Sequence, residues 1–226
     1  VKTPIAGRLW DVIGTQLGRP DGMIGRLVGR ILNRGNRATV AAAVAAADPA
    51  HGATVVDIGF GGGVGLGLLL DRVGATGTVH GVEVSPTMID QARRHYRNEI
   101  ANNRLQLHNA AMHDLPLTSA TVDAVISTNT VYFIEDLTTA FTEVARVLRP
   151  SGRLVLGVGD PTAMARMPFT ENRFRLRPIA EVTGHLAAAG LTVVGEERLT
   201  DEGAVEFHVL TCKKKESYPP SAAPGA

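Results

Sequence analysis

From about residue 53 to residue 212, short β-branched apolar runs alternate with amphipathic stretches. That alternation is the pattern of a parallel sheet built from βαβ units. Strands are expected over 54–58, 78–83, 105–108, 122–127 and 153–158. Helices are expected over 66–72, from Pro86 through Arg93, over 141–148 with a stop at Pro150, and over 179–189 before Gly190. Pro86 suits a first helical turn, where its missing N–H costs nothing. Two last strands, 191–197 and 205–211, are separated by a polar turn with Asp201, Glu202 and Gly203. So short a connection predicts an antiparallel pair, because parallel strands need a longer crossover. Residues 1–50 carry a helical, basic pattern without strands, and 213–226 are three lysines followed by a Ser/Pro/Ala/Gly-rich stretch. The division expected is a helical arm or lid over 1–50, a ligand-binding domain over 51–212 and a disordered tail over 213–226.

Composition sharpens this picture in a few places. The 226 residues are 44% hydrophobic and 20% charged, with a formal net charge of +1. Such a chain buries a core without staples and is not disordered over most of its length. One cysteine, Cys212, leaves no internal disulfide and no multi-thiolate metal site, so a reducing, cytoplasmic setting is expected. The apolar run from Val40 to Ala47 falls far short of the roughly 20 residues of a membrane span. Near-neutral charge and the absence of a recognised module argue against a nucleic-acid partner. The histidines lack metal-ligand spacing, and no metal is expected.

The stretch with most chemical content is Val55-Val56-Asp57-Ile58-Gly59-Phe60-Gly61-Gly62-Gly63. A strand runs through an acid into glycines at alternate positions, which lets the backbone turn with positive φ and approach a ligand. In an open α/β sheet the ligand crevice lies at the carboxyl ends of the strands. A second acid, Glu83, ends the next strand about twenty residues beyond Gly63, where it can accept from a ribose diol. The dinucleotide fingerprint does not fit. From Gly59, Gly61, Gly63 or Gly65, the position five residues on is Val64, Leu66, Leu68 or Leu70, where a small residue is required.

At these residues the chain resembles the class I S-adenosylmethionine (SAM)-dependent methyltransferases, in particular the group that includes ubiquinone-, menaquinone- and sterol-type enzymes. The resemblance covers about 53–213. Besides 55–63 it rests on Gly81-Val82-Glu83-Val84-Ser85-Pro86-Thr87-Met88, on residues 108–117 and 122–129, and on residues 143–153. It implies an α/β, Rossmann-like, seven-stranded and mostly parallel sheet with an antiparallel last strand, plus an N-terminal helical lid. It also implies SAM as cofactor and S-adenosyl-L-homocysteine (SAH) as product. By position, Gly59, Phe60, Gly61 and Gly63 would flank the methionine part, with Asp57 organising the loop or meeting the amino group. Glu83 would hold the ribose hydroxyls, and Val84 and Met88 would lie against the adenine. Asn109 and Ala110 would meet the adenine edge, and Thr128 and Asn129 the methionine end. Most relatives carry Asp where this chain has Asn109, whose amide still offers an acceptor.

Ser127-Thr128-Asn129-Thr130 lacks the prolines of amino-group enzymes acting on adenine or glutamine. Cys212 falls in an expected core strand, which argues against cysteine nucleophiles, and a many-cysteine arsenite reaction is not expected. Direct displacement at the methyl by an O, N, S or C nucleophile of a small, partly apolar molecule remains. Alignment can supply roughly 7–11 kcal/mol of that barrier. Tyr132 and His113 are the candidate bases, if one is needed. Glu135 and Asp136 are expected to open a helix, favoured by its dipole.

Residues 22–34 place Met23, Ile24, Leu27, Val28, Ile31 and Leu32 on one helical face and Arg26, Arg30 and Arg34 on another. A lid, a dimer contact or core helix, and a peripheral membrane anchor are competing readings. Arg166, Arg173, Arg175 and Arg177 cluster later and could pair with an acceptor carboxylate or phosphate. The expected partner is a small-molecule acceptor, and the oligomeric state, monomer or homodimer, stays open. A noncatalytic binding scaffold and a lipid-methylating enzyme at the membrane surface are the rival readings.

Overall fold

The computed structural model describes residues 36–167, 170, 174–200 and 206–215. The amphipathic arm over 22–34 and the tail after 215 lie outside the described residues, as does the turn at 201–205. Seven strands form one sheet: β1 (Thr54–Ile58), β2 (Thr78–Glu83), β3 (Leu105–Asn109), β4 (Val122–Thr128), β5 (Leu148–Gly159), β6 (Leu191–Leu199) and β7 (Phe207–Lys214). Their order is β3-β2-β1-β4-β5-β7-β6. The first five run parallel, whereas β7 is antiparallel to both β5 and β6. The sheet and its antiparallel end match the expectation.

Helices cover both faces, so the strands read as continuous apolar runs. On one face lie α1 (Arg37–Ala47), α2 (Val64–Val73) and α3 (Pro86–His95). They share a core of Val44, Leu66, Leu69, Met88 and Ile89 with Val55, Val79 and Ile126 of the strands. After Tyr96 alone comes the short α4 (Arg97–Ala101). On the other face, α5 (Leu137–Val147) and α7 (Ile179–Ala188) bury Phe141, Val144, Val182 and Leu186 against Val56, Val125 and Leu154. Between them in sequence, α6 (Pro161–Met164) follows β5. Thus α1, which the sequence reading counted with the amino-terminal arm, is a layer of the sheet domain, and β7 continues past residue 212.

Two boundaries differ from expectation for a stated reason. Helix α5 ends at Val147, and Leu148 is already extended at φ −65°, ψ 137°. Pro150 then sits inside β5, at a register shift where Val122 pairs Leu148 and Ala124 pairs Arg153. A proline pushes the preceding residue out of helix and is tolerated in a strand at such a bulge. The short α4, α6 and the 3₁₀ turn Val131–Phe133 were not foreseen, since segments so brief are held by tertiary contacts and show little periodicity.

Strand order reverses between β1 and β4, which opens a crevice at their carboxyl ends. There the glycine turn, Glu83 and Asn129 converge.

Candidate functional site

The glycine turn is built by positive φ: 72° at Gly59, 50° at Gly61 and 84° at Gly63, the residue before α2. Gly59 has no freedom to change. A Cβ there would lie 2.4 Å from Thr130 Oγ1. At Gly61, by contrast, a Cβ would meet only the Gly59 carbonyl at 4.0 Å, so this side of the turn is open.

Glu83 ends β2 facing that turn. Its Oε2 accepts from the Gly61 N–H at 3.0 Å and its Oε1 from the Ser85 N–H at 2.9 Å. The side chain is buried; burial raises its pKa, and the N–H donors at Ser85, Gly61 and Val84 oppose the rise. Each carboxylate oxygen keeps lone-pair capacity for a further donor. Ser85 caps α3, its Oγ accepting from Met88 N at 3.3 Å, which fixes the turn after Glu83. Between them Val84 is 41% exposed, an apolar surface beside the carboxylate.

Asp57 is buried under the first turn of α2, where a Cβ on Gly65 would fall 2.1 Å from its Oδ2. Burial, followed by the nearby Glu83 charge, pushes its pKa up to about 8. A carboxyl that keeps its proton folded but loses it unfolded, where the ordinary value is 3.8, destabilises the fold as pH rises. Stability is therefore expected to decline between about pH 4 and pH 8. Asp57→Asn, which carries no titrating proton, should flatten that decline in urea unfolding followed across the same window.

Asn109 pairs Glu83 across β2 and β3, and its Nδ2 donates to the Glu83 carbonyl at 2.8 Å. An ionised aspartate could not make that bond, so an asparagine at this position has a structural use. The amide oxygen stays available as an acceptor. Ala110, half-buried, packs on the core at the start of the next loop. That loop is pinned by Glu143 and Arg146: Glu143 accepts from Leu115 N at 3.0 Å, and Arg146 donates to the Leu115 and Leu117 carbonyls at 3.1 and 2.9 Å.

On the β4 side, Asn129 takes φ 58°, a left-handed conformation that asparagine tolerates better than most residues, and its N–H donates to Gly157 O at 2.9 Å. Thr128 is half-buried at the strand end. Ser127 and Thr130 hydroxyls both donate to the Ile58 carbonyl, at 2.9 and 3.3 Å, tying this loop to the glycine turn. Thr130 was not foreseen in this role; Tyr96, whose hydroxyl donates to the Gly63 carbonyl at 2.8 Å, was not either. Neither has a local sequence signal, because the contacts span 72 and 33 residues.

Other expectations are redirected. Phe60 and Met88 point into the core, 6% and 1% exposed, so their side chains do not line the crevice. Tyr132 is buried, its hydroxyl accepting from Gly159 N at 2.5 Å and donating to Asn129 Oδ1 at 3.4 Å. Burial drives its pKa upward, so a phenolate base at neutral pH does not follow from its position. His113 is exposed in the loop between Met112 and Leu115. Arg177 spends its guanidinium on the carbonyls of Val131, Ile134 and Glu135, at 3.1, 2.8 and 3.0 Å, and Arg175 pairs with Glu135 at 3.1 Å. These two arginines hold the loop after β4 in place; Arg173 lies outside the described residues. Asp136 caps α5 as expected, accepting from Thr139 N at 3.0 Å. The Cys212 thiol is buried and pushed up to about 12 by that burial.

Among the described residues no helix is long and apolar enough to cross a membrane. Residues 56–156 match the family model described as a methyltransferase domain. An arsenite methyltransferase of Halobacterium salinarum is 33% identical over 157 residues, covering 70% of this chain and 38% of that protein. An O-methyltransferase of Pyrenophora dematioidea is 29% identical over 199 residues, covering 72% of each chain. The solved geranyl diphosphate C-methyltransferase of Streptomyces coelicolor, which contains SAH, superposes with a TM-score of 0.68 at 18% identity, over 94% of this chain and 98% of that one. The chain spans 38% of that arsenite methyltransferase, and 32% and 48% of the length of two other curated relatives it matches.

Proposed function

We propose, since residues 56–156 match the family model of a methyltransferase domain, that the protein transfers a methyl group from SAM to a small, partly apolar acceptor. The observation that carries the reading is the Glu83 carboxylate, buried at the end of β2 and hydrogen-bonded to the open glycine turn at Gly61. The residues present fit such a cofactor. Glu83 would accept from the ribose hydroxyls, and Val84 would lie on the adenine. Asn109 Oδ1 and the Ala110 backbone would meet the adenine edge. The backbone of 59–63 would run along the methionine part, opposite Thr128 and Asn129.

When bound, SAM supplies a methyl group on a sulfonium that needs no further activation. The chain's own task is alignment, which the rigid turns at Gly59, Asn129 and Glu83 support. Phe133 and Phe174 are half-buried with ring centroids 4.8 Å apart, Met167 also packs against the core, and we assign the acceptor to this apolar face. That lining supports an apolar acceptor. A lid role for the arm, of which residues 1–35 lie outside the described ones, belongs to the same reading, as does a cytoplasmic setting. The arsenite chemistry named for one relative is not carried over, because this chain's one cysteine is the buried Cys212.

Incubation with SAM and a panel of phenols, carboxylic acids, amines and thiols tests the reading. SAH should accumulate together with an acceptor heavier by one CH₂ group. SAM binding without turnover on any acceptor would favour a noncatalytic scaffold. Tyr132→Phe should cost about 1–3 kcal/mol of stability by leaving the Gly159 N–H without its acceptor. Its turnover should stay within about threefold of the parent, because the hydroxyl serves as a strut; urea unfolding and SAH release measure the two.

A further inference from the structure

The first turn of α2 is held from two sides. On one, Gly65 lies against the Asp57 carboxyl. On the other, Tyr96 reaches across. Its hydroxyl donates to the Gly63 carbonyl at 2.8 Å and lies against Gly67. The helix's own bond between these residues, Gly67 N–H to Gly63 O, is stretched to 3.3 Å. The tyrosine hydroxyl thus adds a second donor to the Gly63 carbonyl, which the helix itself holds loosely.

The sequence of α2 makes room for it. A Cβ on Gly67 would lie 3.0 Å from the Tyr96 hydroxyl, and one on Gly63 would lie 3.3 Å from the ring. A glycine inside a helix costs roughly 1 kcal/mol relative to alanine, so the space at Gly67 is kept at a cost to the helix. Tyr96 is also the residue on which α3 ends, its N–H donating to Ala92 O at 2.8 Å. Since α3 starts from the turn that follows Glu83, one tyrosine joins the two walls of the crevice.

We propose that Tyr96 is a positioning residue for SAM: its hydroxyl, donating to Gly63 O and packed against Gly67, keeps the glycine turn in the shape that faces Glu83. This rests on the glycine turn being the SAM site. Tyr96 acts through the turn, on a backbone that the ligand would follow.

The test is calorimetric titration of the parent chain, Tyr96→Phe, Gly67→Ala and the double variant with SAM and SAH, beside urea unfolding of each. Tyr96→Phe keeps the ring and removes one oxygen. It should raise the Kd for both ligands about tenfold. Gly67→Ala displaces the same hydroxyl and should weaken binding similarly. The double variant should bind no worse than the weaker single one, because both changes disrupt the same hydroxyl-to-Gly63 bond. A role in stability alone would lower the unfolding midpoint and leave the affinity of the folded chain unchanged. A loss under threefold in Tyr96→Phe, or additive losses in the double variant, would overturn the proposal. Should Tyr96→Phe not fold, Gly67→Ala decides it by the same threefold limit. A parent chain that binds neither SAM nor SAH marks the failure of the site reading itself and takes this proposal with it; a parent that binds and a Tyr96→Phe that binds equally well defeats the tyrosine alone.

Discussion

Glu83→Ala is expected to weaken SAM binding by about 100-fold or more. The side chain carries two tasks. It would accept two charge-assisted hydrogen bonds from a ribose diol, each worth on the order of 1.5–3 kcal/mol. It also holds the Gly61 and Ser85 N–H groups at 3.0 and 2.9 Å, so its removal releases the turn on both sides. Glu83→Gln separates the two. The amide keeps one acceptor oxygen and should lose less, about tenfold, while the fold stays intact. Calorimetry with SAM reads both variants. An alanine variant that binds like the parent chain would remove Glu83 from the ligand site and return it to a purely structural role.

The second large effect is on stability. Gly65→Ala is expected to destabilise the chain by about 3 kcal/mol or more, beyond the usual range for an overpacked site. Its Cβ would fall 2.1 Å from Asp57 Oδ2 and 3.0 Å from Cγ, and Ile126 Cδ1 at 3.3 Å blocks retreat. The carboxyl is buried, with no free rotamer into solvent. Intrinsic helix propensity points the other way, since alanine is the better helix former by roughly 1 kcal/mol. Asp57→Ala should therefore recover a large part of the loss when combined with Gly65→Ala. Urea unfolding of the two single variants and the double one measures that coupling. Equal stability of Gly65→Ala and the parent chain would mean that Asp57 does not lie under this turn.

The alternation of apolar strands and amphipathic helices was sufficient for the order of elements, because both faces of a parallel sheet must be covered. The antiparallel end was legible too, from the short polar connection after residue 199. Around the crevice, Asp57, the positive-φ glycines and Glu83 could be read because they sit at or next to strand ends, where backbone geometry restricts the residue type. Phe60 and Met88 misled for the opposite reason. Their neighbours in sequence reach the crevice, but the glycine turn sends Phe60 inward and side-chain direction rotates round the helix at Met88, so both side chains lie in the core. Tyr96 and Thr130 were silent because each acts on a turn far away in sequence. The arginines after β5 show the same limit: Arg177 looks like an anion binder, yet three carbonyls of the loop after β4 take its donors.

The most direct measurement is isothermal titration of the chain with SAM, SAH and NAD in parallel. Micromolar binding of both adenosyl ligands, with no heat from NAD, is the predicted result. Binding of NAD alone, or of none of the three, would contradict the assignment of the glycine turn and Glu83 to a SAM site.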